Sequence, residues 1–308
     1  MLDAFSGTGV VAAEALRRGV RRVVAVDNLH SNTVILRGFA ERSGGALEER
    51  IRELNGLEGV EGYISREYAG TYFSLPNCRR MDAARELIET WSARGEISVG
   101  GRDYLIASFL LAADRVANTV GQYDAFLKHM GSPSRSGGRH LVDGRVYSDF
   151  CMLPLEPLCP GEIEVLTGDI VTLAAGIEAD VAYLDPPYNS RQYCDLYHVL
   201  ENLARWEKPR LAGKTRKPPR DGLRSAFSRS RSVVGAFRAL LEALRARSIF
   251  LSYNSEGLLR PGELQDVLSD YGSVTVTTFP YPVFGSGAGV AAKRVVTEYL
   301  FHLRRGGA

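Results

Sequence analysis

The sequence predicts an α/β protein built on a doubly wound parallel sheet. A glycine-containing turn over residues 3–9 leads into an alanine- and leucine-rich helix, and a short apolar strand over 21–26 then ends at Asp27. A second buried strand, over residues 180–184, ends at Asp185. A glycine turn with acidic residues at strand ends is typical of a nucleotide site in such a sheet.

The elements around the glycine turn are predicted from local signals. Gly19 can end the helix that begins after Gly9, and a further helix is expected over about 31–43. Only Met1 and Leu2 precede Asp3, so most of the strand expected before the glycines is missing from this sequence.

Residues 54–160 break the alternation of strand and helix. Helical stretches near 82–94 and 103–120 are followed by a polar, glycine-rich segment over 131–145. We therefore expect an inserted subdomain that is mainly helical. Its tyrosines and phenylalanine are expected to pack its own core, namely Tyr63, Tyr68, Tyr72 and Phe73.

The strand and helix pattern resumes after the insertion. The predicted elements are a strand over 163–166 that ends at Gly168 and Asp169, the strand over 180–184, a helix over 193–206, a helix over 233–246, a strand over 248–253, a helix over 261–270, and an antiparallel pair over 274–279 and 295–303. The domain boundaries follow from this pattern: residues 1–54 and 160–308 form a catalytic domain, and residues 55–159 form the insertion.

Basic charge is concentrated in one segment. The chain has 38 Lys and Arg against 36 Asp and Glu, so its net charge is +2. Residues 208–231 alone carry +8, because their only acid is Asp221. The basic residues of this segment are Lys208, Arg210, Lys214, Arg216, Lys217, Arg220, Arg224, Arg229 and Arg231. Next to a nucleic-acid site, such a segment is expected to contact phosphates and to make binding salt-dependent.

Composition excludes several classes of protein. No apolar stretch is long enough to span a bilayer, and the start lacks the pattern of a secretory signal. The four cysteines lie far apart without a C-x-x-C pair, which favours the reducing cytoplasm. None of the five histidines has the spacing of metal ligands, so no metal is expected, and ordinary packing roles are assigned to Cys194 and His198.

The most specific motif is Asp185-Pro186-Pro187-Tyr188, directly after a buried strand. Consecutive prolines fix the backbone and remove two amide donors, which leaves carbonyl oxygens to accept hydrogen bonds from a ligand. Asp185 and one such carbonyl can hold an exocyclic amine, so that its lone pair faces an electrophile while Tyr188 stacks on the ring. The alternative is a strand-ending turn with a surface tyrosine.

The glycine turn is less specific on its own. Gly7 and Gly9 permit close approach of a ligand, and Asp27 lies about where an acid accepts hydrogen bonds from ribose hydroxyls. Ala12 occupies the place of the third glycine in a dinucleotide fingerprint. A nicotinamide-dependent enzyme is therefore an alternative for this half of the site, although it has no need of the Pro-Pro turn.

Together these segments resemble the D12 class of DNA adenine-N6 methyltransferases. The matching segments are D-x-F-x-G-x-G at 3–9, Gly-Asp at 168–169, LDPPYNSRQY at 184–193, YHVLE at 197–201, SYNSEGLL at 252–259 and VTEYLF at 296–301. The resemblance implies a Rossmann-like methyltransferase sheet with an inserted target-recognition subdomain. It also implies transfer of a methyl group from S-adenosylmethionine to N6 of an adenine flipped out of duplex DNA.

The resemblance assigns roles residue by residue. It implies that Phe5, Gly7 and Gly9 wrap the S-adenosylmethionine, that Asp27 holds its ribose, and that Asp169 with the backbone of Ile170 meets its adenine. The target adenine would be held by Asp185, Pro186, Pro187 and Tyr188. The basic loop would lie beside DNA through Lys214, Arg216, Lys217 and Arg220. The transfer needs no metal.

One departure concerns the start of the chain. The family has a segment before the glycine turn that supplies a lysine and an aromatic side chain to the methionine end of the cofactor, and no such segment precedes Asp3 here. We expect the natural chain to begin upstream of Met1. Two alternatives stay open: an RNA base methyltransferase, and a DNA-binding remnant with weakened cofactor binding. A cytoplasmic enzyme paired with a restriction endonuclease is the expected setting.

Overall fold

The chain folds into two compact units. The computed structural model describes residues 1–42, 45–119, 121–127, 144–158, 160–219, 222–283 and 294–306. The first unit consists of Met1–Thr33, Cys159–Tyr193 and Asp221–Ala308, and the second consists of Val34–Leu158 and Cys194–Arg220. Residues 34–54 and 194–220 group with the second unit because their apolar side chains belong to its core.

The first unit contains a seven-stranded sheet in the order β3-β2-β1-β4-β5-β7-β6. The strands are β1 (Leu2–Asp3), β2 (Arg22–Asp27), β3 (Glu162–Thr167), β4 (Glu178–Leu184), β5 (Arg245–Asn254), β6 (Ser273–Val283) and β7 (Arg294–Arg304). β7 runs antiparallel to both of its neighbours, and the other pairs are parallel. The order 3-2-1-4-5 is that of a doubly wound sheet, which confirms the predicted fold class.

β1 occupies the centre of the sheet although it has only two residues. Leu2 pairs with Val24 on one side and Ala182 on the other, and Asp3 pairs in the same way with neighbouring residues of β2 and β4. The strand order reverses between β1 and β4. In doubly wound sheets, ligands bind beyond the carboxyl ends of the strands at this reversal. Asp3 and Asp185 lie at these two carboxyl ends.

Helices account for most of the remaining regular structure. In the described part of the chain they are α1 (Val10–Arg17), α2 (His30–Ala40), α3 (Gly45–Asn55), α4 (Tyr63–Tyr68), α5 (Leu75–Ala93), α6 (Val99–Arg115), α7 (Ile170–Leu173), α8 (Tyr193–Leu196), α9 (His198–Arg205), α10 (Val233–Ala243) and α11 (Pro261–Ser269). No helix among these residues combines the length and apolar character needed to cross a membrane.

The boundary between α10 and β5 differs from the prediction. A helix was expected over 233–246, but α10 ends at Ala243 and Leu244 already has extended backbone angles. Parallel pairing with β4 begins at Arg245, and Ala246 and Ile249 contribute to the buried core. Tertiary pairing therefore overrides the local helix preference of these residues.

The second unit is helical, as the sequence predicts for the insertion. Tyr63, Tyr68, Tyr72 and Phe73 are all buried in its core, which confirms their predicted packing role. His198 is also buried, and its ring nitrogens lie 2.9 and 2.7 Å from backbone carbonyl oxygens, so its role is structural.

Candidate active site

The glycine turn between β1 and α1 leaves open space for a ligand. Gly7 and Gly9 have φ angles of 52° and 89°, which side chains other than hydrogen disfavour. A Cβ added at Gly7 would meet no atom within 4 Å. The turn is held by the amide of Ser6, which donates to the carbonyl of Val26 at 2.9 Å. The backbone at Gly7 is therefore both fixed and accessible.

Asp27 ends β2 and ties the turn to the next helix. Its Oδ2 accepts a 2.9 Å hydrogen bond from the amide of Gly7. Its Oδ1 accepts from the amide of Leu29 at 2.8 Å and from the side chain of Asn32 at 3.1 Å. The acid that the sequence assigns to the ribose thus also shapes the glycine turn.

Asp3 is a buried carboxylate at the carboxyl end of β1. It is 1% exposed, and neither carboxylate oxygen forms a hydrogen bond of normal geometry within the described residues. Burial, followed by the charge of Asp185, raises the pKa of Asp3 to about 7, although nearby backbone amides partly offset this. A buried acid without a full set of partners fits a cationic group of a ligand better than a core role.

Asp169 and Ile170 follow β3. Asp169 is exposed, and its side chain caps α7 by accepting a 3.0 Å hydrogen bond from the amide of Val171. Ile170 is buried in the core of the sheet. A ligand at this strand end would therefore meet the Asp169 carboxylate and the backbone, whereas the Ile170 side chain supports the sheet.

Asp185 follows β4 at the opposite side of the reversal point. It is solvent-accessible, and its carboxylate accepts no hydrogen bond from any residue that the structure describes. Protein surrounds it on enough sides that desolvation raises its pKa to about 6, and the negative charge of Glu298 adds to this. An accessible but poorly solvated carboxylate is a strong acceptor for a ligand amine.

The rest of the motif is arranged as a turn with a half-buried ring. Pro186 is buried, and neither proline carbonyl accepts a hydrogen bond from the described part of the chain. The carbonyl of Tyr188 accepts from the amide of Leu258 at 2.8 Å, which fixes the end of the turn. Burial, with the charges of Glu298 and Asp185, raises the pKa of Tyr188, so the phenol stays neutral.

Two polar residues beside this turn were not assigned from the sequence. Glu298 on β7 accepts a 2.6 Å hydrogen bond from the side chain of Asn254 at the end of β5. The two residues are direct partners in the antiparallel register. Both lie in segments that resemble the family. The two residues are 44 positions apart in the chain, however, and meet only because β5 and β7 pair.

Residues 208–220, here called the basic loop, belong to the second unit. Lys214 is exposed there, Arg216 lies 3.6 Å from Glu67, and Lys217 lies 3.5 Å from Asp195. Arg220 lies outside the described residues. Of the loop cations assigned to DNA, two are thus engaged in ion pairs in this structure.

No group of three His, Cys, Asp or Glu side chains that could hold a metal ion occurs among the described residues. In the described part of the chain, the acids at the strand ends therefore do not form a group that could hold a metal ion. These acids are Asp3, Asp27, Asp169 and Asp185.

Comparisons with known proteins identify close relatives. A family model described as D12 class N6 adenine-specific DNA methyltransferase matches residues 158–266. The type II methyltransferase M.NlaIII of Neisseria lactamica is 32% identical, over 92% of this chain and 83% of that protein. M.CviAII of Paramecium bursaria Chlorella virus 1 is 29% identical, over 97% of this chain and 88% of that protein. The modification methylase StsI of Streptococcus sanguinis is 31% identical over 99% of this chain, which spans 47% of that longer protein.

The fold, its acidic strand ends and these similarities define an enzyme that methylates DNA. The chain belongs to the D12 class of N6 adenine-specific DNA methyltransferases. The predicted family, fold class and adenine-specific activity are confirmed. A methyl donor follows from the activity. Membership also favours DNA over the RNA and nicotinamide alternatives.

Proposed function

We propose that the protein transfers a methyl group from S-adenosylmethionine to N6 of a target adenine flipped out of duplex DNA. The observation that supports this most directly is the placement of two acids, one on each side of the point where the strand order reverses. Asp3 is buried beside an open glycine turn, and Asp185 is accessible on a Pro-Pro turn. The first suits a cationic donor, and the second suits an amine acceptor.

The residues of the glycine turn fit S-adenosylmethionine. This cofactor supplies an electrophilic methyl group on a sulfonium, and it also carries an ammonium group and ribose hydroxyls. The poorly partnered carboxylate of Asp3 would neutralise positive charge, and the open backbone at Gly7, in the turn it shares with Gly9, would allow close contact. Phe5 would pack on the cofactor, Asp27 would hold the ribose, and Asp169 with Ile170 would meet its adenine ring.

The Asp185 turn would hold and activate the target base. Asp185 and a proline carbonyl would accept the two N6 hydrogens, which directs the nitrogen lone pair away from the ring plane. S-adenosylmethionine would supply a methyl group whose carbon–sulfur bond breaks, with its electrons left on sulfur, as the bond to N6 forms. Ionised Asp185 would accept the proton that N6 then releases. Tyr188 would stack on the flipped base.

DNA would be bound by the insertion and the basic segment together. We assign phosphate contacts to Lys214, Arg216, Lys217 and Arg220, and target readout to residues 55–159. The ion pairs of Arg216 and Lys217 would then exchange for phosphates on binding. We place the enzyme in the cytoplasm, where a companion restriction endonuclease would cleave the unmethylated site.

The test is transfer of a labelled methyl group from S-adenosylmethionine to unmethylated plasmid DNA. We expect label in N6-methyladenine with the unsubstituted chain, and a loss of at least about 10²-fold in the rate with Asp185→Ala. Glu178→Ala is the matched control, because Glu178 is an exposed acid at the amino end of the same strand. The control should keep full activity.

The main alternative is a remnant that binds DNA without methylating it. The experiment separates the two, because a remnant would bind the plasmid but transfer no label, with or without Asp185. Labelling of ribosomal RNA in place of DNA would contradict the proposed substrate.

A further inference from the structure

Residues 222–232, here called the strap, connect the basic loop to α10 and lie entirely within the first unit. At one end, the carbonyl of Leu223 accepts a 3.2 Å hydrogen bond from the side chain of Asn28. Asn28 directly follows Asp27, whose carboxylate holds the glycine turn. This end of the strap is therefore attached to the cofactor half of the site.

The middle of the strap is attached to the other half of the site. The side chain of Gln192 pairs with the backbone of Ser225 in both directions, accepting from its amide at 2.8 Å and donating to its carbonyl at 3.2 Å. The hydroxyl of Ser228 donates to the carbonyl of Arg191 at 3.1 Å. Gln192 and Arg191 lie just beyond Tyr188, so these bonds attach the strap to the chain that carries the Asp185 turn.

An aromatic contact completes the attachment. Phe227 is 2% exposed, and its ring meets that of Phe5 edge to face at a centroid distance of 5.1 Å. The same ring meets Phe237 of α10 in the same way, also at 5.1 Å. Phe5 lies within the glycine turn, so the strap packs directly on the segment proposed to hold the cofactor. The strap is thus fixed to both halves of the site at once.

The outer face of the strap is strongly basic. Arg224, Arg229 and Arg231 are exposed, and none of their side chains forms an ion pair or hydrogen bond with a residue that the structure describes. Arg216 and Lys217 of the basic loop, by contrast, face Glu67 and Asp195. The strap therefore presents three guanidinium groups without protein partners on a segment anchored beside the site.

We propose that the strap binds DNA phosphates beside the target adenine, through Arg224, Arg229 and Arg231. The inference rests on the proposed function and extends its phosphate contacts to three arginines of the basic segment that the family resemblance did not assign. Guanidinium groups bind phosphate oxygens in a bidentate manner, and phosphate contacts set the position of DNA on a protein. Because the strap is fixed to both halves of the site, phosphates bound to it would have a defined position relative to the methyl donor and the target base.

The test is binding of adenine-unmethylated linear plasmid DNA by the variant R224Q/R229Q/R231Q across a range of salt concentrations. Each lost phosphate contact should lower the slope of log affinity against log salt by about 0.9. We expect the slope for the triple variant to fall by the equivalent of two to three phosphate contacts, and its KM for DNA to rise. Its affinity for S-adenosylmethionine should stay unchanged, because the exposed arginine side chains take no part in the contacts that anchor the strap.

The matched control is R21Q/R245Q/R247Q, which removes the same charge from exposed arginines at the amino ends of β2 and β5. An unchanged salt slope in the strap variant, or an equal fall in the control, would overturn the proposal. Should the triple variant melt early, the single variants are measured, each with an expected fall of about 0.9. Normal DNA binding with no methylation by the natural chain would refute the proposed function alone.

Discussion

The amide of Gly7 donates a 2.9 Å hydrogen bond to Oδ2 of Asp27, which joins the glycine turn to the end of β2. The second oxygen of Asp27 accepts from the amide of Leu29 and the side chain of Asn32. One carboxylate therefore holds the turn after the first strand and the start of the helix after the second. A ribose bound to Asp27 would meet an acid whose position these bonds already fix.

Asp27→Asn should damage both stability and cofactor binding. Both carboxylate oxygens face N–H donors, so an asparagine amide group would oppose one donor in either orientation. We expect the free energy of unfolding to fall by about 1–3 kcal/mol. Affinity for S-adenosylmethionine should fall roughly tenfold for each 1.4 kcal/mol lost at the turn. Chemical denaturation and calorimetry measure the two effects.

The control for this variant is Asn32→Ala, which removes a single side-chain donor and leaves both backbone amides paired. Asn32→Ala should lower the free energy of unfolding and the affinity for S-adenosylmethionine less than Asp27→Asn does. Equal effects of the two variants would show that Asp27 acts only as part of the helix start.

Glu298→Gln should shift the pH dependence of methylation. Burial and the charge of Glu298 raise the pKa of Asp185 to about 6, and Asp185 must be ionised to accept hydrogen bonds from the amine. The rate is therefore expected to fall as the pH drops through about 6. Removing the Glu298 charge lowers the pKa of Asp185, which moves this fall to lower pH. A pH profile of kcat/KM measures the shift.

Glutamine at position 298 can still accept the hydrogen bond from Asn254, so the variant changes charge more than structure. Glu178→Gln makes the same change of charge at the amino end of β4, far along the strand from Asp185. Its profile should match that of the natural chain. Identical profiles for all three proteins would contradict the role given to Glu298.

The sequence predicts those parts of the site that depend on neighbours in the chain. Asp27 and Asp185 follow short apolar runs, and strand ends of this kind can be located from the apolar pattern alone. Asn254 and Glu298 come together only because β5 and β7 pair in one particular register. Gln192 likewise meets Ser225 across 33 residues. No local pattern encodes such pairs, so they had to come from the structure.

The division into units shows the same limit. A change from alternating strands and helices to helices alone locates the insertion, but not the segments that pack on it. Val199 and Leu203 on α9 belong to the helical core although they follow the Asp185 motif in the chain. Helical spacing predicts that such side chains are buried, without saying which core they enter.

Phe227→Ala should destabilise the first unit strongly. Its ring is buried between Phe5 and Phe237, and truncating a core phenylalanine typically costs about 3–5 kcal/mol. Denaturant unfolding measures the loss. Phe279 on β6 is the matched control, because it is 49% exposed and Phe279→Ala should cost roughly 0.5 kcal/mol or less. Similar losses for the two variants would mean that the strap is not packed as described.

Asp3→Asn should stabilise the protein at high pH while weakening cofactor binding. Burial raises the pKa of Asp3 to about 7, well above its usual value near 3.9. The folded state therefore binds this proton more tightly than the unfolded state, and the resulting stability is lost as the pH rises from about 4 through 7. The loss is of the order of 1.4 kcal/mol per pH unit in that window.

The unfolding free energy of Asp3→Asn, which has no such proton, should exceed that of the unsubstituted chain by an amount that grows up to about pH 7 and then levels. A difference independent of pH, or unchanged affinity for S-adenosylmethionine at pH 8, would show that Asp3 is not held as a charged partner for the donor.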